Sequence, residues 1–103
     1  MKNIFIHHVY FWLKNNRNIN DRDKLVAGLI KLTQLASIKQ SHIGVPASTS
    51  RGVIDNSYDV SWLLLFDDEK AEANYQTDRM HFKFIEECSS LWSKVIVYDT
   101  IDV

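Results

Sequence analysis

Cysteine is almost absent from this chain of 103 residues: Cys88 stands alone, which excludes an internal disulfide and any zinc site built on paired cysteines. That count makes a reducing compartment, the cytoplasm, the expectation. With only three glycines there is no glycine-rich phosphate loop, and no GxSxG-type nucleophile motif is present. Basic and acidic residues nearly cancel, 12 against 13, and form no basic block. Phosphate-backbone binding therefore lacks its electrostatic footprint, and nucleic acid is not an expected partner. No apolar run approaches the roughly 18 residues of a membrane span. The apolar start MKNIFIHHVYFWL is interrupted by His7 and His8 with no small-residue cleavage site after it, so it reads as a first strand and not as a leader.

Hydrophobic residues at 46% and charged ones at 24% give a soluble globular balance, and the length suits one domain over 1–103. Residues 4–13 (IFIHHVYFWL) are aromatic and β-branched and predict a strand. A helix follows, capped by Asn20 or Asp21, with Leu25, Leu29, Leu32 and Ala36 recurring at helical spacing beside Gly28 and Leu35. A weaker strand is expected over 39–47, where Gly44 and Pro46 point to an edge position. The stretch 48–57 reads as a surface loop, YDVSWLLLF from Tyr58 as a strand, and KVIVYDTID over 94–102 as the last strand. Between them Asp67 and Asp68 open a helical region with Glu69 and Glu72 in its first turns. Asp78 opens a second helical piece over 78–92.

The order β-α-β-β-α-β closes most simply as an α+β, ferredoxin-like antiparallel four-stranded sheet with the helices on one face. Strands one, three and four are apolar on both sides, although a sheet with one wet face should alternate. Helices cover one face only. A second copy of the chain is the economical cover for the other, which predicts a homodimer through the sheet face.

On the helix beginning at Asp78, His81 falls in the apolar stripe with Phe84, Ile85, Cys88 and Trp92, and so faces the sheet. In the first turn the helix dipole disfavours added positive charge, and a neutral imidazole able to accept a proton is expected. Tyr75 would point about 120° away from His81 in one unbroken helix, so a break near Thr77 and Asp78 is needed for the two to converge. Strand parity sends Phe5, His7, Val9 and Phe11 towards the helices and His8 to the outer face. His42 reads as an edge residue and Cys88 as inert core. Since no HxH, HExxH or paired-cysteine spacing occurs, no metal is expected, and no cofactor is implied. The expected pocket has walls of Phe11, Trp62 and Phe84, with Tyr75, His7 and His81 as its polar groups, and it suits a small, partly apolar molecule.

The segments HHVYFWLK, YDVSWLLLFDD, YQTDRMHFKFIEECSSLW and VIVYDTI, in this order, resemble the stress-responsive α/β-barrel domain family, and the resemblance spans nearly the whole chain. It implies a dimeric ferredoxin-like barrel. The family includes olivetolic acid cyclase, a cofactor-independent plant enzyme whose histidine base and nearby tyrosine match His81 and Tyr75 and, more loosely, whose strand-one histidine matches His7. The resemblance thus implies cyclase- or lyase-type acid–base chemistry, with a non-enzymatic, stress-associated oligomer as the competing expectation.

Overall fold

A computed structural model describes residues 4–103; the expectations that touch residues 1–3 lie outside it. The chain runs β1 (Phe5–Leu13), α1 (Ile19–Leu32), β2 (Gln40–Gly44), β3 (Val60–Phe66), α2 (Glu69–Gln76), α3 (Arg79–Cys88), a single 3-10 turn (Ser89–Leu91) and β4 (Trp92–Ile101). The strands form one antiparallel sheet in the order β2-β3-β1-β4, so each βαβ unit is split by a strand of the other. This is the ferredoxin-like arrangement that the element order predicts.

Parity holds along β1 and β3. Phe5, His7, Val9, Phe11 and Leu13 alternate as buried residues with half-buried Ile6, His8, Tyr10 and Trp12, and Val60, Trp62, Leu64 and Phe66 alternate with half-buried Ser61, Leu63 and Leu65. The buried set packs on Leu25, Leu29 and Leu32 of α1, on Tyr75 of α2 and on Phe84 and Cys88 of α3. β4 departs from the expected dry layer. Its helix-side residues Val95 and Val97 remain 42% and 43% exposed, because the helices lie over β1 and β3 and leave the β4 edge of that face open.

Several local boundaries differ from the sequence expectation. Asn18, not Asn20 or Asp21, caps α1 by accepting from the Asp21 amide, since Arg17 turns the chain in the left-handed region (φ 63°) just before it. α1 stops at Leu32, which leaves Ala36 exposed and outside the stripe. Asp68 alone caps α2, while Asp67 forms an exposed ion pair with Lys39. α3 ends at Cys88, so Trp92 belongs to β4 and not to the helical stripe, and Ile85 is 38% exposed. β2 is shorter than 39–47 and is an edge strand; His42 on it is exposed. The 45–58 segment lies beside the outer face, where Ser57 Oγ accepts from the Trp12 indole at 3.1 Å.

Gly28 sets the spacing of α1 and α3. A Cβ there would stand 2.9 Å from Cys88 Sγ and 3.1 Å from the Phe84 ring. Overpacking outweighs the gain in helix propensity, and Gly28→Ala is expected to destabilise the fold by about 1–3 kcal/mol. Thermal melts of Gly28→Ala and of Gly28→Ala with Cys88→Ala check this; truncating the sulfur should recover part of the loss. Equal melting of wild type and Gly28→Ala would mean that the helices adjust freely.

Candidate functional site

A cavity of about 160 Å³ opens between β1, β3 and β4 on one side and α2 and α3 on the other. Its walls are largely apolar: Val9, Phe11, Trp62 and Phe84, with Ile85, Trp92, Val95 and Val97 towards the β4 edge. His7, Tyr75, Gln76 and His81 supply the polar groups. All six residues singled out from the sequence as pocket residues, Phe11, Trp62, Phe84, His7, Tyr75 and His81, thus line one cavity.

Each reaches it for a local reason. His7 follows the inward parity of β1. Tyr75 lies near the end of α2 and His81 in the first turn of α3, and the chain breaks between the helices at Thr77 and Asp78. Asp78 caps α3 by accepting from the Met80 amide at 2.8 Å. The break turns the two rings towards each other, edge to face at 4.8 Å between centroids, and the His7 ring lies 6.1 Å from Tyr75.

Electrostatics divides the three groups. Burial, with the Glu72 charge adding to it, holds the Tyr75 phenol well above its usual range, so it stays a protonated donor. Burial and then the neighbouring His7 lower the His81 pKa from its ordinary 6.5, against opposing pulls from Glu72 and Asp78. His7 Nδ1 lies 2.6 Å from Asp99 Oδ1. A carboxylate at that distance accepts a hydrogen bond from Nδ1–H, which fixes the orientation of the ring. Glu72, whose Oε2 accepts from Gln76, stands 4.0 Å from the same nitrogen.

Asp99, Glu72 and Gln76 are the functional candidates that sequence reasoning missed. A signal for Asp99 exists: it shares strand parity with Val95, Val97 and Ile101 and so is a lone carboxylate on an apolar face. Its partner is decided by the β1–β4 register, which sets His7 opposite Asp99. Among the described residues no group of three or more His, Cys, Asp and Glu side chains is placed to hold a metal. No helix there is long and apolar enough to cross a membrane.

The depressed His81 value has a consequence for stability. As pH falls, the unfolded chain takes up this proton near 6.5, before the folded one does. Stability is therefore full above that value and lost as pH drops through the lower folded pKa. His8, lowered by burial and then by His42, acts in the same direction. Urea midpoints at pH 7.5 and 5.5 should fall on acidification, and His81→Gln should flatten the fall; an unchanged slope would remove the claim.

The chain belongs to the stress responsive A/B barrel domain family, whose model matches residues 5–102. No curated protein matches it by sequence. Among solved structures it is similar to a ferredoxin-like protein of the same family from Mesorhizobium loti, at 17% identity and a TM-score of 0.81, covering 99% of each chain. It is also similar to a hydroxynitrile lyase from Passiflora edulis, at 18% identity and a TM-score of 0.78, covering 97% of this chain and 94% of that one. A third is a dimeric ferredoxin-like protein of unknown function from Thermobifida fusca, at 15% identity and 0.76, covering 97% and 92%. At these identities the likeness establishes the fold.

Proposed function

We propose that this protein is a homodimer that binds a small, partly apolar carbonyl compound in the cavity and performs a lyase- or cyclase-type acid–base step on it. The observation that carries the reading is the convergence of Tyr75, His81 and the His7–Asp99 pair on one apolar cavity. Neutral His81 takes a proton from the carbon next to the carbonyl. The electron pair left behind moves onto the carbonyl oxygen, and the Tyr75 O–H donates to the oxyanion so formed. His7, held by Asp99, offers Nε2 to a hydroxyl of the ligand. The resulting enolate can attack a second carbonyl to form a carbon–carbon bond. In the lyase direction His81 instead takes the proton of a ligand hydroxyl, a carbonyl forms there, and the adjacent carbon–carbon bond breaks with its electron pair leaving on the departing carbon. The similarity in fold to a hydroxynitrile lyase is compatible with that outcome.

The dimer follows from the outer face. Ile6, Tyr10, Trp12, Leu63 and Leu65 are only half-buried there, joined by exposed Tyr98, and Tyr10 sits between the rings of His8, Tyr58 and Tyr98. An open sheet face of this kind exceeds what a soluble monomer tolerates, and aromatic residues are the usual anchors of such contacts. A likeness to a dimeric ferredoxin-like protein supports the same assembly.

Acetophenone in D₂O tests the chemistry, since enolisation exchanges its methyl protons and proton NMR reads the loss. The expected result is exchange faster than in buffer with an equal concentration of free imidazole, by a species that sediments as a dimer. A dimer giving no acceleration would overturn the enzymatic reading, and a monomer would overturn the assembly.

A further inference from the structure

Trp62 sits at the centre of β3, opposite Val9 of β1 and Ile43 of β2, and is 1% exposed. Its ring packs 6.2 Å from Tyr75 and 6.4 Å from Phe84, between centroids, on the cavity wall. From the sequence alone only an apolar role is expected of it, which phenylalanine or leucine could serve as well. Its indole nitrogen has no hydrogen-bond partner among the described residues, and neither has Nδ1 of His81 on the same cavity. Buried indole N–H groups are ordinarily paired, and an unpaired one costs free energy that a suitable guest recovers.

The chemistry of that guest can be narrowed. An indole N–H donates and cannot accept, so its partner is an acceptor. Among the described residues no lysine or arginine lines the cavity, while Asp99 and Glu72 stand next to His7, so a carboxylate or phosphate ligand would meet negative charge there. In size, about 160 Å³ is close to an apolar protein cavity known to hold benzene.

We infer that Trp62 is a ligand-binding residue whose Nε1–H donates to the carbonyl oxygen of a neutral, single-ring-sized compound. The nitrogen is closed to solvent, so contact requires the ring or its neighbours to shift slightly as the oxygen arrives. This inference rests on the reading of the cavity as a ligand site and adds to it the charge, the size and one contact of the ligand.

Nitrogen–proton correlation spectra of the full chain test it, with the indole signals of Trp12, Trp62 and Trp92 distinguished by Trp→Phe variants. The probes are acetophenone, cumene, which has the same shape without the acceptor, and benzoate, which carries a charge. Acetophenone is expected to move the Trp62 indole signal and to bind about tenfold more tightly than cumene, with Trp62→Phe reducing that preference to the part that the Tyr75 hydroxyl supplies while cumene binding survives. Equal affinities for ketone and hydrocarbon with an unmoved Trp62 signal would overturn the contact and leave the cavity reading standing. Benzoate binding as tightly as acetophenone would overturn the neutral class. If neither acetophenone nor cumene binds, the cavity is not a ligand site and both readings fall. The wild-type spectra decide the contact even if Trp62→Phe does not fold.

Discussion

Asp59→Ala is expected to lower the unfolding free energy by about 3–5 kcal/mol, read as a shift of the urea midpoint at pH 7. Asp59 is 3% exposed and ends the loop that leads into β3. Its two carboxylate oxygens accept from the amide of Leu13 at 2.9 Å and the amide of Arg17 at 3.0 Å, which fastens the exit of β1 to the entry of β3. The Arg17 guanidinium lies 3.8 Å from the same side chain and donates to the carbonyls of Tyr58 and Asn56. Alanine would leave the Leu13 amide buried without an acceptor and release the left-handed turn at Arg17, two losses that one small side chain cannot offset. Asp59→Asn keeps one acceptor oxygen and should lose less. A change below about 1 kcal/mol in the alanine variant would show that the turn holds without the carboxylate. Arg17 and Asp59, with Arg22, also line a wider surface groove of about 360 Å³. Arg17 and Asp59 are engaged with each other and with the backbone, and Arg22 with Asp23.

His81→Ala is expected to slow the exchange of acetophenone protons by about 10²–10⁴-fold, and Tyr75→Phe by about 10²–10³-fold, as losses of a base and of an oxyanion donor. Folding separates these losses from structural damage. His81 is only partly buried, so its replacement should leave the urea transition cooperative and the dimer intact. Tyr75 is 2% exposed, but Tyr75→Phe keeps its ring against Trp62 and Phe66. The pH profile gives an independent check. A base whose pKa is lowered by burial keeps accepting protons below 6.5, so the acid limb of kcat/KM should lie below that value. Wild-type-like exchange in His81→Ala would assign the base elsewhere, with His7 the remaining candidate at the cavity.

The parts of the fold that depend on neighbours in sequence were readable from the residues. Alternation along β1 and β3 told inward from outward side chains, and Asp68 and Asp78 marked the starts of two helices because an aspartate oxygen satisfies amides two or three residues on. The need for a break between Tyr75 and His81 also followed from helix geometry alone. Misplaced ends, such as Ala36 beyond α1 or Trp92 beyond α3, arise where an apolar residue keeps the helical period although the backbone has already turned.

The sequence by itself therefore determined the order of elements, the apolar character of both sheet faces and six of the side chains that line the cavity, since each follows from a period of 2 or 3.6. Only the tertiary structure decided that Asp99 grips His7 across 92 residues of chain, that Asp59 ties two strand ends together, that β4 is left open on the helix side, and that the Trp62 indole has no acceptor among the described residues. Register and layer offset are collective outcomes of packing, and a hydrogen bond between residues far apart in the chain exists only once both are set.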